Sequence, residues 1–531
     1  MPPIKTGSFK VLVLLCLAGG LLTRAVPAAL TFLNPDEILH CLLSSQPSLA
    51  ATYKATLTTA HPPLMILFLH YWQRLGHSEF ILRLPFMLAG TTFAWLMFLW
   101  LRRVSDRDTA TTGLVLFLFS PALISLSGEV RQYALLLLFC AASLYSLERA
   151  VEDDSTSWML LFAATLYLAL LSHYSSLIFA LALGIYGLIR LLASEATPRL
   201  LAAWVVSQLG GLALCSYLYI SHLSRLRDSS LRQEIGNTWL RSSICHHGQD
   251  HVIAFFATRT VRMFRYFFSN GTIGVLALLL FLWALAMLLF TQKPSRPSRK
   301  PAPRHLVILL VAPFFITLAT AVSGLYPYGG TRHDAVLAIF AFSGVSVGLN
   351  RLKIPKLWTK LAIVGLALVI GNLRPFPTPP FIKPWNQNRR LMTAAINFLR
   401  RPVPSAPAIL TDYEGGLMLS YYLCSHPVVE IETSAPFLES PCGDYTVIAA
   451  SPEIWLYSDH TFPLALDELR RHQTGLQNNA WLFQAGWIDD KQAEWLAELA
   501  QMGCRDPRLF GQDIMLCRIS PAGQAGVAPT Q

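Results

Sequence analysis

The sequence predicts a polytopic α-helical membrane protein carrying a small extracytoplasmic α/β domain at its C-terminal end, and three observations predict it. Of its 531 residues 53% are hydrophobic and 14% charged, with mean hydropathy +0.45; this is too apolar for a chain that keeps its surface in water. Apolar runs of roughly 17 to 25 residues, the length that crosses hydrocarbon, recur as far as residue 376. After the proline-rich RPFPTPPFIKPWNQN (374–388) they stop, and short apolar strands alternate with helical runs.

The first run, VLVLLCLAGGLLTRAVPAALTFL, resembles a signal peptide but is long and lacks a small-residue cleavage pattern, so it reads as a retained helix. Further candidate spans lie near 83–101, 109–127, 131–148, 157–172, 174–193, 200–221, 271–291, 305–324, 333–349 and 360–376. With 11–33 they make about eleven transmembrane helices, an odd number, which puts the termini on opposite sides. Lys5, Lys10, Arg102, Arg103, Arg107, Arg149, Arg199 and the basic segments 292–304 and 350–360 fall on loops of one parity, which are expected to be cytoplasmic. The N-terminus is then cytoplasmic in a multi-pass cell (inner) membrane protein. The outward face holds the loop around Asp36, the turns GEVRQY and SHYS, the long loop 222–270, the turn YPYGGTRHD and everything after about 377.

The domain organisation expected is a membrane domain over 1–376 and a soluble α/β domain over 377–531. In the latter PAIL, VVEIE, YTVIAA and AWLFQ read as strands, and LALDELRRHQ and DKQAEWLAELAQ as helices. Four of the nine cysteines, Cys424, Cys442, Cys504 and Cys517, lie in it, either as disulfides on the oxidising side or as buried thiols. The net charge of +11 follows from topology and needs no nucleic acid, and no phosphate-loop motif is present to power transport.

In LTFLNPDEILHCLL, Asn34 is a good N-cap, Pro35 suits the first helical position and Glu37 completes a capping box. Asp36 complements the helix dipole, but at the outer membrane surface it is also placed to meet a substrate as a general base. His61, held by two prolines in HPPL, either donates to a phosphate or caps the next helix. Glu129 and Arg131 form either a salt bridge or part of a site. The loop 222–270 contains Arg225, Arg227, Arg232, Arg241, Arg259, Arg262 and Arg265 and no lysine, on the face where cations are disfavoured. Its arginines suit a phosphate, or an interfacial helix against anionic headgroups. Arg332 starts a span from that same face, beside Gly329 and Gly330, with Tyr326 and Tyr328 as interfacial aromatics. Arg24 either snorkels outward or reaches the site. In ICHHGQDH, Cys245, His246, His247, Asp250 and His251 are weak candidates for a divalent metal, without a regular ligand frame.

These motifs, PDE in the first outward loop, HPPL, SEFILRLPF and the E-x-R-x-Y turn, in this order over residues 10–195, resemble the GT-C class of membrane glycosyltransferases. The resemblance is to the family 39-like group that includes protein O-mannosyltransferases and lipid A aminoarabinose transferases. It implies a GT-C fold and transfer of a sugar from a polyprenyl-phosphate donor to a lipid, glycan or protein acceptor outside the cytoplasm, with inversion. Asp36 matches the catalytic aspartate position and Glu129 a second acidic residue, with Glu37 beside them. His61 stands where members carry lysine or histidine. Arg131, Arg332, Arg259 and Arg262 are then expected to bind the donor phosphate. Two other functions fit the architecture, a lipid-linked sugar transporter or flippase and a non-catalytic assembly partner in glycan export.

Overall fold

The computed structural model describes residues 6–226, 240–246, 248–291, 299–352, 354, 356–373, 387–401, 408–424, 426–429, 435–451, 480–486, 504–511 and 513–519. In chain order the first helices are α1 (Thr6–Leu30), α2 (Pro35–Ser44), α3 (Leu49–Thr56), α4 (Leu64–Trp72), α5 (Glu79–Val104), α6 (Arg107–Phe119), α7 (Pro121–Gly128) and α8 (Tyr133–Asp153). There follow α9 (Thr156–Ser172), α10 (Ser176–Ala193), α11 (Pro198–Leu218), α12 (Val252–Phe268), α13 (Gly271–Phe290), α14 (Pro303–Val322), α15 (Leu337–Arg351) and α16 (Leu357–Leu373). The last two are α17 (Arg389–Leu399) and α18 (Tyr413–Tyr422). Contacts divide the chain into one unit of residues 1–28 and 59–382 and another of 29–58 and 383–531. The second unit thus has an early part, 29–58, and a late part that starts at residue 383.

Every expected span coincides with a helix. Among the described residues eight are long and apolar enough to cross a membrane, and α6 and α7, bent by 55°, pass the same test only as a pair. At 17 residues each, α9 and α16 reach about 25 Å, near the lower limit for a crossing. The chain is a multi-pass membrane protein.

The bend between α6 and α7 explains Arg24. Pro121 has no N–H, so the carbonyl of Phe117 loses its helical partner. Arg24 supplies it from α1: Nη2 donates to Phe117 O (3.4 Å), Nη1 to Leu118 O (2.7 Å) and Nε to Ser127 Oγ (2.6 Å). Gly90 on α5 makes the room, since a Cβ there would lie 2.3 Å from Ser127 Cβ and 3.2 Å from Arg24 Nε. Arg24 therefore neither snorkels nor serves as a substrate ligand; it repairs a broken span. Within α5, Arg83 is likewise buried and donates to Ala28 O (3.0 Å).

In the second unit six strands, β1 (Ala408–Thr411), β2 (Phe437–Cys442), β3 (Tyr445–Ala450), β4 (Ala480–Ala485), β5 (Cys504–Leu509) and β6 (Ile514–Ile519), form one sheet of order β2-β3-β1-β4-β6-β5. β1 runs parallel to β3 and β4, with Leu410 opposite Ile448 and Leu482. The other pairs are antiparallel. Three of the four expected strands are present; of VVEIE, Val428 and Val429 lie outside any strand and the rest lies outside the described residues, as do the two expected helices. Cys424 and Cys442 form a disulfide and Cys517 is also disulfide-bonded, which settles those three in favour of cross-links. The side chain of Cys504 lies outside the described residues.

Candidate active site

Asp36 and Glu37 belong to the second unit. Asn34 Oδ1 accepts from Glu37 N (3.0 Å) and Glu37 Oε2 accepts from Asn34 N (2.9 Å), a reciprocal capping box with Pro35 at the helix start. Phe32 N donates to Gln387 O (2.9 Å) and Leu33 N to Tyr422 Oη (2.8 Å), so the strand-like entry to α2 is hydrogen-bonded at successive residues. From residue 31 to 38 every residue is buried except Asp36, which is half-buried. A rigid, buried frame thus presents one carboxylate. Glu37, fully buried and committed to the cap, fits a residue that positions Asp36.

In the first unit a separate cluster gathers around His173, in the turn after α9. His173 Nδ1 accepts from Ser175 N (3.1 Å) and lies 2.8 Å from Ser175 Oγ, which leaves the proton on Nε2 as a donor. Its ring stacks on His61 at 5.7 Å, lies 5.1 Å from the Tyr133 ring and 6.3 Å from His333. Burial, then the charges of Arg131 and Arg332, push its pKa down to about 3, so it is neutral at ordinary pH. Gln132 Nε2 donates to His61 Nδ1 (3.1 Å). Gln132 Oε1 is buried and has no hydrogen-bond partner among the described residues. The segment before His61 is pinned by His222, whose Nε2 donates to Thr59 O (2.6 Å) while Nδ1 accepts from Tyr174 Oη (2.6 Å).

Arg332 is set by the turn YPYGGTRHD. Asp334 Oδ2 accepts from Gly329 N (3.2 Å), Gly330 N (2.7 Å) and Thr331 N (3.0 Å), winding the turn around one carboxylate. Gly329 and Gly330 have φ of 138° and 81°, in the region that favours glycine. A Cβ at Gly329 would lie 2.8 Å from Arg259 Cδ, and one at Gly330 2.8 Å from Arg262 O, so α12 lies directly against this turn. Tyr328 is fully buried and bonded to Thr260, and Tyr326 Oη donates to His333 O (3.0 Å). Both tyrosines brace the turn, a correction to their expected interfacial role.

The first unit therefore brings His61, Arg131 and Arg332 into one cluster and seats Arg259 and Arg262 against its glycine turn. Arg131 N donates to Glu129 O (2.8 Å), and the Arg131 guanidinium lies 5.7 Å from the centre of the Tyr133 ring. Glu129 and Arg332 both act electrostatically on Tyr266, whose pKa is raised chiefly by burial. Arg262 Nη1 donates to Ser242 Oγ (3.0 Å), and Arg259 lies 5.5 Å from the Phe255 ring. Arg265 packs by Gly271 at the end of α12, and Arg227 and Arg232 lie outside the described residues. Around the weak metal candidates, the backbone N of His246 donates to Asp250 Oδ2 (2.9 Å) and that of Cys245 to Ala321 O (3.3 Å). His247 lies outside the described residues, and among those described no three His, Cys, Asp or Glu side chains group as metal ligands. Sequence reasoning missed His173, His333 and Gln132, although Gln132 and His333 directly follow Arg131 and Arg332 and His173 lies in the outward turn SHYS; the spacing between those turns carries no signature.

Residues 60–220 match the family described as dolichyl-phosphate-mannose-protein mannosyltransferase. The crystal structure of ArnT from Cupriavidus metallidurans in the apo state is similar, with a TM-score of 0.55 at 12% identity over 96% of this chain and 98% of that one. A structure of the same protein bound to undecaprenyl phosphate gives a TM-score of 0.52 at 14% identity, covering 98% and 99%. No curated protein matches the sequence. The fold is that of the GT-C class, as the ordered motifs of the N-terminal half imply.

Proposed function

We propose that the protein transfers a sugar from a polyprenyl-phosphate donor to an acceptor on the extracytoplasmic face of the cell (inner) membrane. The observation that carries this reading is the convergence of Arg131 and Arg332 on a buried, uncharged histidine beside His61. Fixed cations and neutral N–H donors are what a departing phosphate needs as its charge grows. The match of residues 60–220 to a family that uses a lipid-phosphate sugar supports it, and so does the likeness to a protein solved with undecaprenyl phosphate.

In this reaction an acceptor hydroxyl attacks the anomeric carbon from the face opposite the phosphate. The new C–O bond forms as the sugar–phosphate bond breaks. The proton passes to Asp36, and the electron pair leaves on the polyprenyl phosphate, held by Arg131, Arg332, His61 and the Nε2–H of His173. The result is inversion. Gln132 Oε1 suits a sugar hydroxyl. Arg259 and Arg262 hold the turn that aims Arg332. The disulfides of the second unit accord with its lying outside the cytoplasm, and the odd number of spans expected from the sequence accords with an N-terminus inside. A flippase would use charges within its spans, yet Arg24 and Arg83 are tied to carbonyls and Arg190 to Glu148.

The test incubates the purified parent and Asp36→Asn with radiolabelled polyprenyl-phosphate sugars, following donor binding and sugar release to water or added acceptors. Binding by both and turnover by the parent alone supports the assignment. Failure of every donor to bind the folded parent overturns it in favour of transport or assembly.

A further inference from the structure

At the opposite end of α8 from the histidine cluster, some 30 Å along a 21-residue helix, the first unit has a cavity of about 400 Å³ lined by Leu99, Arg102, Arg103, Tyr145, Glu152 and Lys300. Its walls are built. Buried Arg190 donates to Glu148 Oε2 (3.1 Å) and to Arg299 O (2.6 Å), locking the backbone beside Lys300 onto the end of α8. Arg299 Nη1 reaches Glu152 O (3.4 Å). Arg103 Nε donates to Glu152 Oε2 (2.8 Å), with its guanidinium 5.8 Å from the centre of the Tyr145 ring.

Two groups are left for a ligand. Arg102 is exposed and forms no ion pair among the described residues. Glu152 Oε1 is a buried carboxylate oxygen with no hydrogen-bond partner among them. A cation and an unsatisfied acceptor in one cavity match a ligand that carries both an anion and an N–H donor. The level in the membrane is set by Tyr145 and Trp158, packed edge to face at 6.0 Å, with Arg149 4.8 Å from the centre of the Trp158 ring; such aromatics mark the membrane–water boundary. Leu99, on α5, is the aliphatic residue of the lining.

We propose that this cavity binds the headgroup of an aminophospholipid, its phosphate on Arg102 and Lys300 and its primary ammonium on Glu152 Oε1. This does not rest on the transferase reading, since none of these residues belongs to the histidine cluster. The test presents the full chain in micelles with equal amounts of phosphatidylethanolamine, phosphatidylglycerol and phosphatidylcholine, and reads lipid retained on the protein by native mass spectrometry. Phosphatidylethanolamine is expected to be retained at least roughly fivefold over the other two. Arg102→Ala, which removes an unpaired surface side chain, lowers retention of all three; Glu152→Gln removes the preference for the amine. Equal retention of phosphatidylcholine and phosphatidylethanolamine by the parent overturns the proposal, as does unchanged retention in Arg102→Ala. Retention of phosphatidylglycerol equal to phosphatidylethanolamine overturns the ammonium contact. Complete displacement by equimolar soluble phosphoethanolamine overturns the lipid as its source.

Discussion

The two ends of α8 use charge in opposite ways. At the Asp153 end cations meet carboxylates: Arg190 with Glu148 at 3.1 Å, Arg103 with Glu152 at 2.8 Å and Arg149 with Asp153 at 2.5 Å. At the Tyr133 end Arg131 and Arg332 bear on a histidine that burial keeps neutral. The first pattern neutralises itself and welds helix ends together. The second sets two arginines about a buried neutral histidine, and puts a carboxylate, Asp334, to work on backbone amides. Residue type alone does not separate a structural arginine from a ligand-binding one; what it faces does.

The largest expected effect breaks the chemistry without touching either end. Asp36→Asn keeps the Asn34–Glu37 cap, so folding and donor binding persist while turnover falls by about 10²–10⁴-fold, read as single-turnover sugar transfer. Second, Glu148→Gln leaves Arg190 buried beside a neutral partner and should cost about 3–5 kcal/mol of stability in thermal unfolding, with donor affinity unchanged in the protein that remains folded. An intact melting curve would show that the inner pairs are not structural. Third, Arg332→Ala should weaken donor binding by roughly 10–100-fold with little change in unfolding temperature, the reverse of Glu148→Gln. If both variants alter stability alone, the contrast between the two ends disappears.

The smallest effect is read against pH, where one buried group in each unit contributes with the opposite slope. His173 has a folded pKa of about 3, below its unfolded value. Its contribution is present above roughly pH 6.5 and is lost as pH falls toward 3, because the unfolded chain binds the proton first. Asp412, the buried N-cap of α18, has its pKa raised to about 7 by burial, against hydrogen bonds from backbone amides such as Gly415 N (2.6 Å). Its contribution is present below the unfolded carboxylate value of roughly 4 and is lost as pH rises through 7. Asp412→Asn keeps the cap and should flatten the alkaline side of a stability profile, while His173→Gln flattens the acid side. An unchanged acid limb in His173→Gln would mean that this histidine takes up a proton as readily folded as unfolded.

Much of the fold was legible because membrane crossing demands long apolar runs, and all eleven matched helices. The cap at Asn34 and Glu37 was legible because capping is local. Three things were not. Arg24 looked like a charge in search of water, because its partners are carbonyls freed by a proline 97 positions later. His173 and His333 stood in outward turns, but their convergence carried no signal, since a cluster drawn from four turns has no spacing. The second unit's claim on residues 29–58 was hidden because hydropathy reports depth in the membrane, not which neighbours a loop chooses.

That last feature has a consequence for timing. The amide of Leu33 bonds to a hydroxyl 389 residues further on, and Phe32 to Gln387 O. At ordinary rates of synthesis the segment bearing Asp36 emerges about 20 to 80 seconds before the part of the chain that seats it. The aspartate is thus among the first groups made and among the last put in place. Until the final sheet closes, the membrane helices can be complete while the group proposed to start the reaction has no fixed position, so the proposed activity waits on the last of the chain to be made.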